Sequence, residues 1–162
     1  YFQVERDPAR PFVVDVADLS VRVLGTRFNL MAYPDENRVL TTLVSGSVEV
    51  NTNEGARVVL EPDQQAAVLG GEINVSPVDA SYITSWVQGK FNFDNATLEE
   101  IAMQISRWYD VKILFAKEEL KSLHFSGSMQ KFRPLEHLIQ RIEATGDVRC
   151  RVKGGDIVID NK

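Results

Sequence analysis

The chain has 162 residues, 44% of them hydrophobic and 25% charged, a balance that excludes a disordered tail, a collagen and a coiled coil. Eighteen Lys and Arg against 23 Asp and Glu give a net charge of −5, and no basic run could neutralise consecutive phosphates, which argues against nucleic-acid binding. The longest apolar stretch, the six residues Ala66 to Gly71, falls far short of the roughly 20 needed to cross a bilayer, and a single Cys150 cannot close an intramolecular disulfide.

The first residues, Tyr1-Phe2-Gln3-Val4, read as the middle of an alternating strand with no initiating Met. We therefore expect an excised piece whose signal peptide, anchor or further domain lies upstream. From Phe12 to Val75 short strands of period two follow one another, cut by turn residues. Leu19, Val21 and Val23 alternate with polar residues, then Phe28 and Leu30, before the turn Pro34-Asp35-Glu36-Asn37. Val39, Thr41 and Leu43 lead to Gly46, Val48 and Val50 to the turn Asn51–Gly55, and Val58 and Leu60 to Glu61-Pro62-Asp63. Ala67 and Leu69 precede Gly70-Gly71, a two-residue hairpin turn whose positions favour positive φ. This half is all-β, and even spacing of short strands fits a sandwich or a short solenoid equally.

After Pro77 the period changes. Val78 to Gln88 carries Tyr82, Ile83, Trp86 and Val87 on one or two helical turns, and the domain boundary falls here, giving domains 1–80 and 81–162. Thr97-Leu98-Glu99-Glu100 is a capping-box pattern that opens a helix with Leu98, Ile101, Ala102, Ile105 and Trp108 on one face. Asp110 ends it, and Val111, Ile113 and Phe115 alternate as a strand. A second helix opens at Arg133-Pro134, buries Leu135, Leu138, Ile139 and Ile142, and closes at Gly146.

The two units superpose without a gap at a shift of 37 residues, Leu98 on Leu135, Ile105 on Ile142, Asp110 on Asp147, Ile113 on Cys150 and Phe115 on Val152. With leading strands Phe91–Phe93 and His124–Ser126, and a closing hairpin at Gly154-Gly155 before Ile157–Ile159, the second half is an α+β domain built on a repeated β-α-β unit.

Chemistry is sparse. Neither phosphate-loop pattern occurs, and His124 and His137 have no second His or Cys at ligand spacing, so no cofactor and no metal is expected. Ser45-Gly46-Ser47 and Ser126-Gly127-Ser128 lack the nucleophile-elbow frame and read as turns. Glu99-Glu100 and Glu118-Glu119 read as solvated faces, and Cys150 as an inward, apolar thiol. No catalytic residue emerges. Most aromatics of the second half must fill its core, so only one or two can be spared for a partner. The candidates are Phe125, on the second leading strand, and Phe132, in the loop before the second helix.

Several segments resemble the FecR-type periplasmic regulators, transmembrane anti-sigma factors. In the first half these are Tyr1–Val4 with Pro11–Val14, Val23–Leu30, Leu43–Val50 and Leu60–Ala66. In the second they are Phe91-Asn92-Phe93, Leu98–Ile101 and Arg107–Val111, which look like the small domain that follows in many members and is similar to the secretin and TonB short N-terminal domain. One departure is Asp63, where the family often has Gly; Asp tolerates such a turn. The resemblance implies a non-enzymatic regulator whose periplasmic portion receives a signal from the N-terminal signalling domain of a TonB-dependent outer-membrane transporter. An upstream segment would cross the inner membrane once and hold an ECF sigma factor in the cytoplasm. The alternative is a carbohydrate- or envelope-binding β module with no signalling role.

Overall fold

The computed structural model describes residues 1–16, 18–130, 134–144 and 148–162. Two compact units divide the chain, Tyr1–Val87 and Gln88–Lys162. Among its described residues the first holds nine strands in two antiparallel sheets. One runs in the order β1 (Phe2–Gln3), β4 (Arg27–Met31), β5 (Val39–Ser45), β8 (Gln64–Leu69), β9 (Glu72–Pro77); the other is β2 (Phe12–Val16), β3 (Leu19–Val23), β6 (Val48–Thr52), β7 (Arg57–Leu60). From β2 on, the chain lays down two strands in one sheet and two in the other by turns, which is why the sequence shows nothing but evenly spaced short strands.

The alternating side chains of both sheets meet in one core, where Val21, Val48 and Val50 of one sheet pack with Phe28, Leu43 and Ala66 of the other, all with no exposed surface. Fully burying such a residue contributes about 1.5–3 kcal/mol, and this is what fixes the register. Gly46 stands where the chain leaves β5 for β6. Its φ is +95°, and a Cβ there would lie 2.7 Å from the Gly25 carbonyl oxygen. Asp63 takes the left-handed conformation at φ 61°, so it does the work of glycine in that turn. Its carbonyl accepts from the Val78 amide and its Oδ1 from the Ala80 amide, anchoring α1 (Ala80–Ile83) beside β5.

The second unit contains β10 (Lys90–Thr97), α2 (Leu98–Tyr109), β11 (Ile113–Phe115), a 3-10 turn at Glu118–Ser122, β12 (His124–Gln130), α3 (Leu135–Ala144), β13 (Val148–Lys153) and β14 (Asp156–Asn161). The two leading strands of the repeat, β10 and β12, pair antiparallel in a two-stranded sheet; the trailing strands flank β14 in the order β11-β14-β13. The helices bury apolar residues toward both sheets. Ile101 and Ile105 of α2 join Phe91 and Phe93 of β10, whereas Leu98 joins Ile157 and Ile159 of β14. The capping box is closed: Thr97 Oγ1 accepts from the Glu100 amide, and the Glu100 carboxylate accepts from the Thr97 amide. Asp110 ends α2 with φ 52°. Helix starts at Leu98 and Leu135 keep the 37-residue shift. The proposed close of α3 at Gly146 lies outside the described residues.

Ser126-Gly127-Ser128 corrects one expectation. It is the middle of β12 and not a turn, with Gly127 opposite Phe93 and Ser128 opposite Asn92. Pairing to β10 overrides the local turn preference of small polar residues.

Candidate partner-binding site

Phe125 is half-buried. It packs against both apolar clusters of the second unit and borders a cavity of about 330 Å³ lined also by Phe93, Ile101, Met129 and Ile142. Phe132 lies outside the described residues. His124 and His137 stand on β12 and α3, and no group of three or more His, Cys, Asp or Glu that could hold a metal occurs among the described residues. Glu118 and Glu99 both reach the Lys121 ammonium, at 2.8 and 3.4 Å, and the hydrogen bond that the ammonium donates to Glu118 leads in raising the lysine pKa above its ordinary range. The two acidic doublets are thus joined through one lysine at the surface.

The sheet edges of the second unit differ in what they offer a partner. β10 has a register break between Phe93 and Ala96, with Asn95 at φ 49°. β12 has its Ser128 carbonyl occupied by the Arg141 guanidinium at 3.0 Å. β11 is three residues long. β13 runs six residues in unbroken register with β14, from Val148 opposite Asn161 to Lys153 opposite Asp156, and no strand of the described residues lies on its other side.

Main-chain bonds tell which groups of β13 point outward. The Ile157 amide donates to Lys112 O and the Ile159 carbonyl accepts from the Ala116 amide, so both residues are turned toward β11. Their partners on β13, Val152 and Cys150, therefore form the non-hydrogen-bonded pairs of the ladder and direct their own N–H and C=O away from β14. The Cys150 amide meets the Glu143 carboxylate there at 2.7 Å. Burial, with Glu143 adding to it, pushes the Cys150 thiol up to about 11, and a thiol so placed is a poor nucleophile at neutral pH.

Arg149, Arg151 and Lys153 are exposed on one face of this strand, and Val152 at its end is 69% exposed. Arg151 approaches Asp160 at 3.9 Å, a pairing open to solvent. The alternation in Val148-Arg149-Cys150-Arg151-Val152-Lys153 is legible in the sequence, but the open edge beneath it is not.

The comparisons with known proteins divide along the same two units. Residues 1–49 match the family model described as FecR protein and residues 90–159 that described as FecR, C-terminal. Two crystal structures of a "putative anti-sigma factor" from Parabacteroides distasonis ATCC 8503 are similar to nearly the whole chain. The one at 1.65 Å has a TM-score of 0.84 at 27% identity, covering 99% of this chain and 76% of that one. The one at 2.50 Å has a TM-score of 0.83 at 27% identity, covering 99% and 75%. No curated protein matches.

Proposed function

The chain belongs to the FecR family of anti-sigma factors, and on that premise we propose that it is the periplasmic sensory portion of a single-pass inner-membrane regulator. It receives a signal from the N-terminal signalling domain of a TonB-dependent outer-membrane transporter. Through an upstream cytoplasmic segment the full protein controls an ECF sigma factor. The observation that carries this reading is the succession of a FecR domain and a FecR C-terminal domain in one chain. No helix among the described residues is long and apolar enough to cross a membrane.

The job is binding, and the energetics ask only that the partner favour one state of the chain over another. An extended segment of the transporter's domain adds to an open sheet edge of the second unit, main-chain bonds supplying affinity and side chains specificity. The test is crosslinking capture from an envelope extract with the whole chain as bait, read by mass spectrometry. Recovery of a TonB-dependent transporter is the expected result. Recovery of glycan or cell-wall material alone would sink the regulator reading in favour of an envelope-binding module.

A further inference from the structure

We propose that the outer edge of β13 is the docking edge, that its occupant is an extended strand carrying acidic side chains at alternate positions, and that Glu143 holds the edge in its absence. The assignment rests on the regulator reading for the existence of a protein partner, and on geometry for the rest.

A strand added beside β13 would hydrogen-bond to the outward N–H and C=O of Cys150 and Val152. Its residues level with Arg149, Arg151 and Lys153 would stand within cross-strand reach of three cations on one face. Carboxylates at those places gain attraction, and ammonium groups are repelled. Charge also excludes the simplest competing occupant. A second copy of β13 would lay Arg and Lys against Arg and Lys, so the cations that recruit an acidic strand prevent this edge from pairing with itself.

Glu143 is the resting occupant. Its carboxylate accepts from the Cys150 amide at 2.7 Å, taking the place that a carbonyl of an added strand would take, while its own carbonyl accepts from Lys162 Nζ at 3.0 Å. An incoming acidic strand must displace that carboxylate from the amide.

The probes are short synthetic peptides alternating Asp with Val or Lys with Val, titrated into the isotope-labelled whole chain at low ionic strength. NMR shifts and amide exchange of Cys150 and Val152 are the readout. The Asp peptide is expected to bind at least about tenfold tighter than the Lys peptide, to protect the Val152 amide, and to weaken as salt is raised. The double variant Arg149→Glu, Arg151→Glu should reverse the preference, and Glu143→Ala should tighten the Asp peptide. Val152→Pro removes one outward N–H and no bond to β14, so it should abolish binding with the remaining spectrum unchanged. Shifts mapping away from β13, a preference that survives charge reversal, or no binding of the Asp peptide overturns the proposal. Repeating the envelope capture with Val152→Pro separates the two ideas. A transporter retained equally by wild type and variant refutes the edge and leaves the regulator reading standing. A wild type that binds the Asp peptide at β13 but captures no transporter refutes the regulator reading and leaves the edge.

Discussion

The Cys150 thiol provides a quantitative check on the β13 environment. Burial first, and the Glu143 carboxylate second, raise it from an ordinary 9.0 to about 11. At pH 8 a thiol of ordinary pKa is roughly 9% thiolate and one at 11 roughly 0.1%, so ionisation alone slows alkylation of the native chain about 100-fold relative to the same chain in urea. Steric protection would slow it too, and the pH profile tells the causes apart. If ionisation governs, the native rate rises about tenfold from pH 9 to pH 10, whereas the unfolded chain rises less than about twofold over the same interval. Iodoacetamide labelling followed by mass spectrometry across pH 7–10.5 measures both curves. Glu143→Gln should raise the native rate at pH 8 by less than about tenfold, since burial is the larger cause. The same linkage has a sign for stability: a group raised in the folded state stabilises fully below 9.0, and that contribution is lost as pH rises through about 11. A native profile that levels near 9 would refute the reasoning.

Three further outcomes follow from local geometry. Thr97→Ala removes the hydroxyl that caps the Glu100 amide while leaving the residue-97 amide to donate to the Glu100 carboxylate, and should cost about 1 kcal/mol of the second unit's stability, read by denaturant melting. Thr41 is fully buried, and its Oγ1 has no hydrogen-bond partner among the described residues, so Thr41→Val should stabilise the first unit by about 1 kcal/mol, or roughly 4–8 °C in Tm; a drop in Tm would mean the hydroxyl is satisfied. Gly46→Ala must place a Cβ 2.7 Å from the Gly25 oxygen at φ +95°, and should destabilise by about 2 kcal/mol or more in the same melt.

What the sequence disclosed, and what it withheld, divides by the range of the interactions involved. Thr97 with Glu100, Asp110, and the Gly70-Gly71 and Gly154-Gly155 hairpins were legible because each is decided within a few residues of chain. The period-two pattern of the first half announced strands but not their allotment to two sheets, since a strand's alternation is the same whichever neighbour it pairs with. Ser126-Gly127-Ser128 was misread for the same reason: its strand is imposed by β10, thirty-odd residues away. Phe125, singled out for a partner, turned out to border the core on both sides. The bond from the Cys150 amide to Glu143 had no local signature, because it depends on where α3 sets its last turn against β13.

The internal repeat separates what the fold needs from what it leaves open. At the 37-residue shift one face of the strand stays apolar, Val111 with Val148, Ile113 with Cys150 and Phe115 with Val152, and the first two pairs pack against the same β14 cluster. The intervening positions diverge: Arg149, Arg151 and Lys153 correspond to Lys112, Leu114 and Ala116. If a cation at each of these places were required to build the trailing strand, β11 would carry it as well. It does not, and β11 still forms and pairs with β14. The basic face of β13 is therefore an addition to the repeat and not a condition of it. It sits on the trailing strand that is long, regular and open along one side, where three cations deter self-association while leaving an acidic strand free to add.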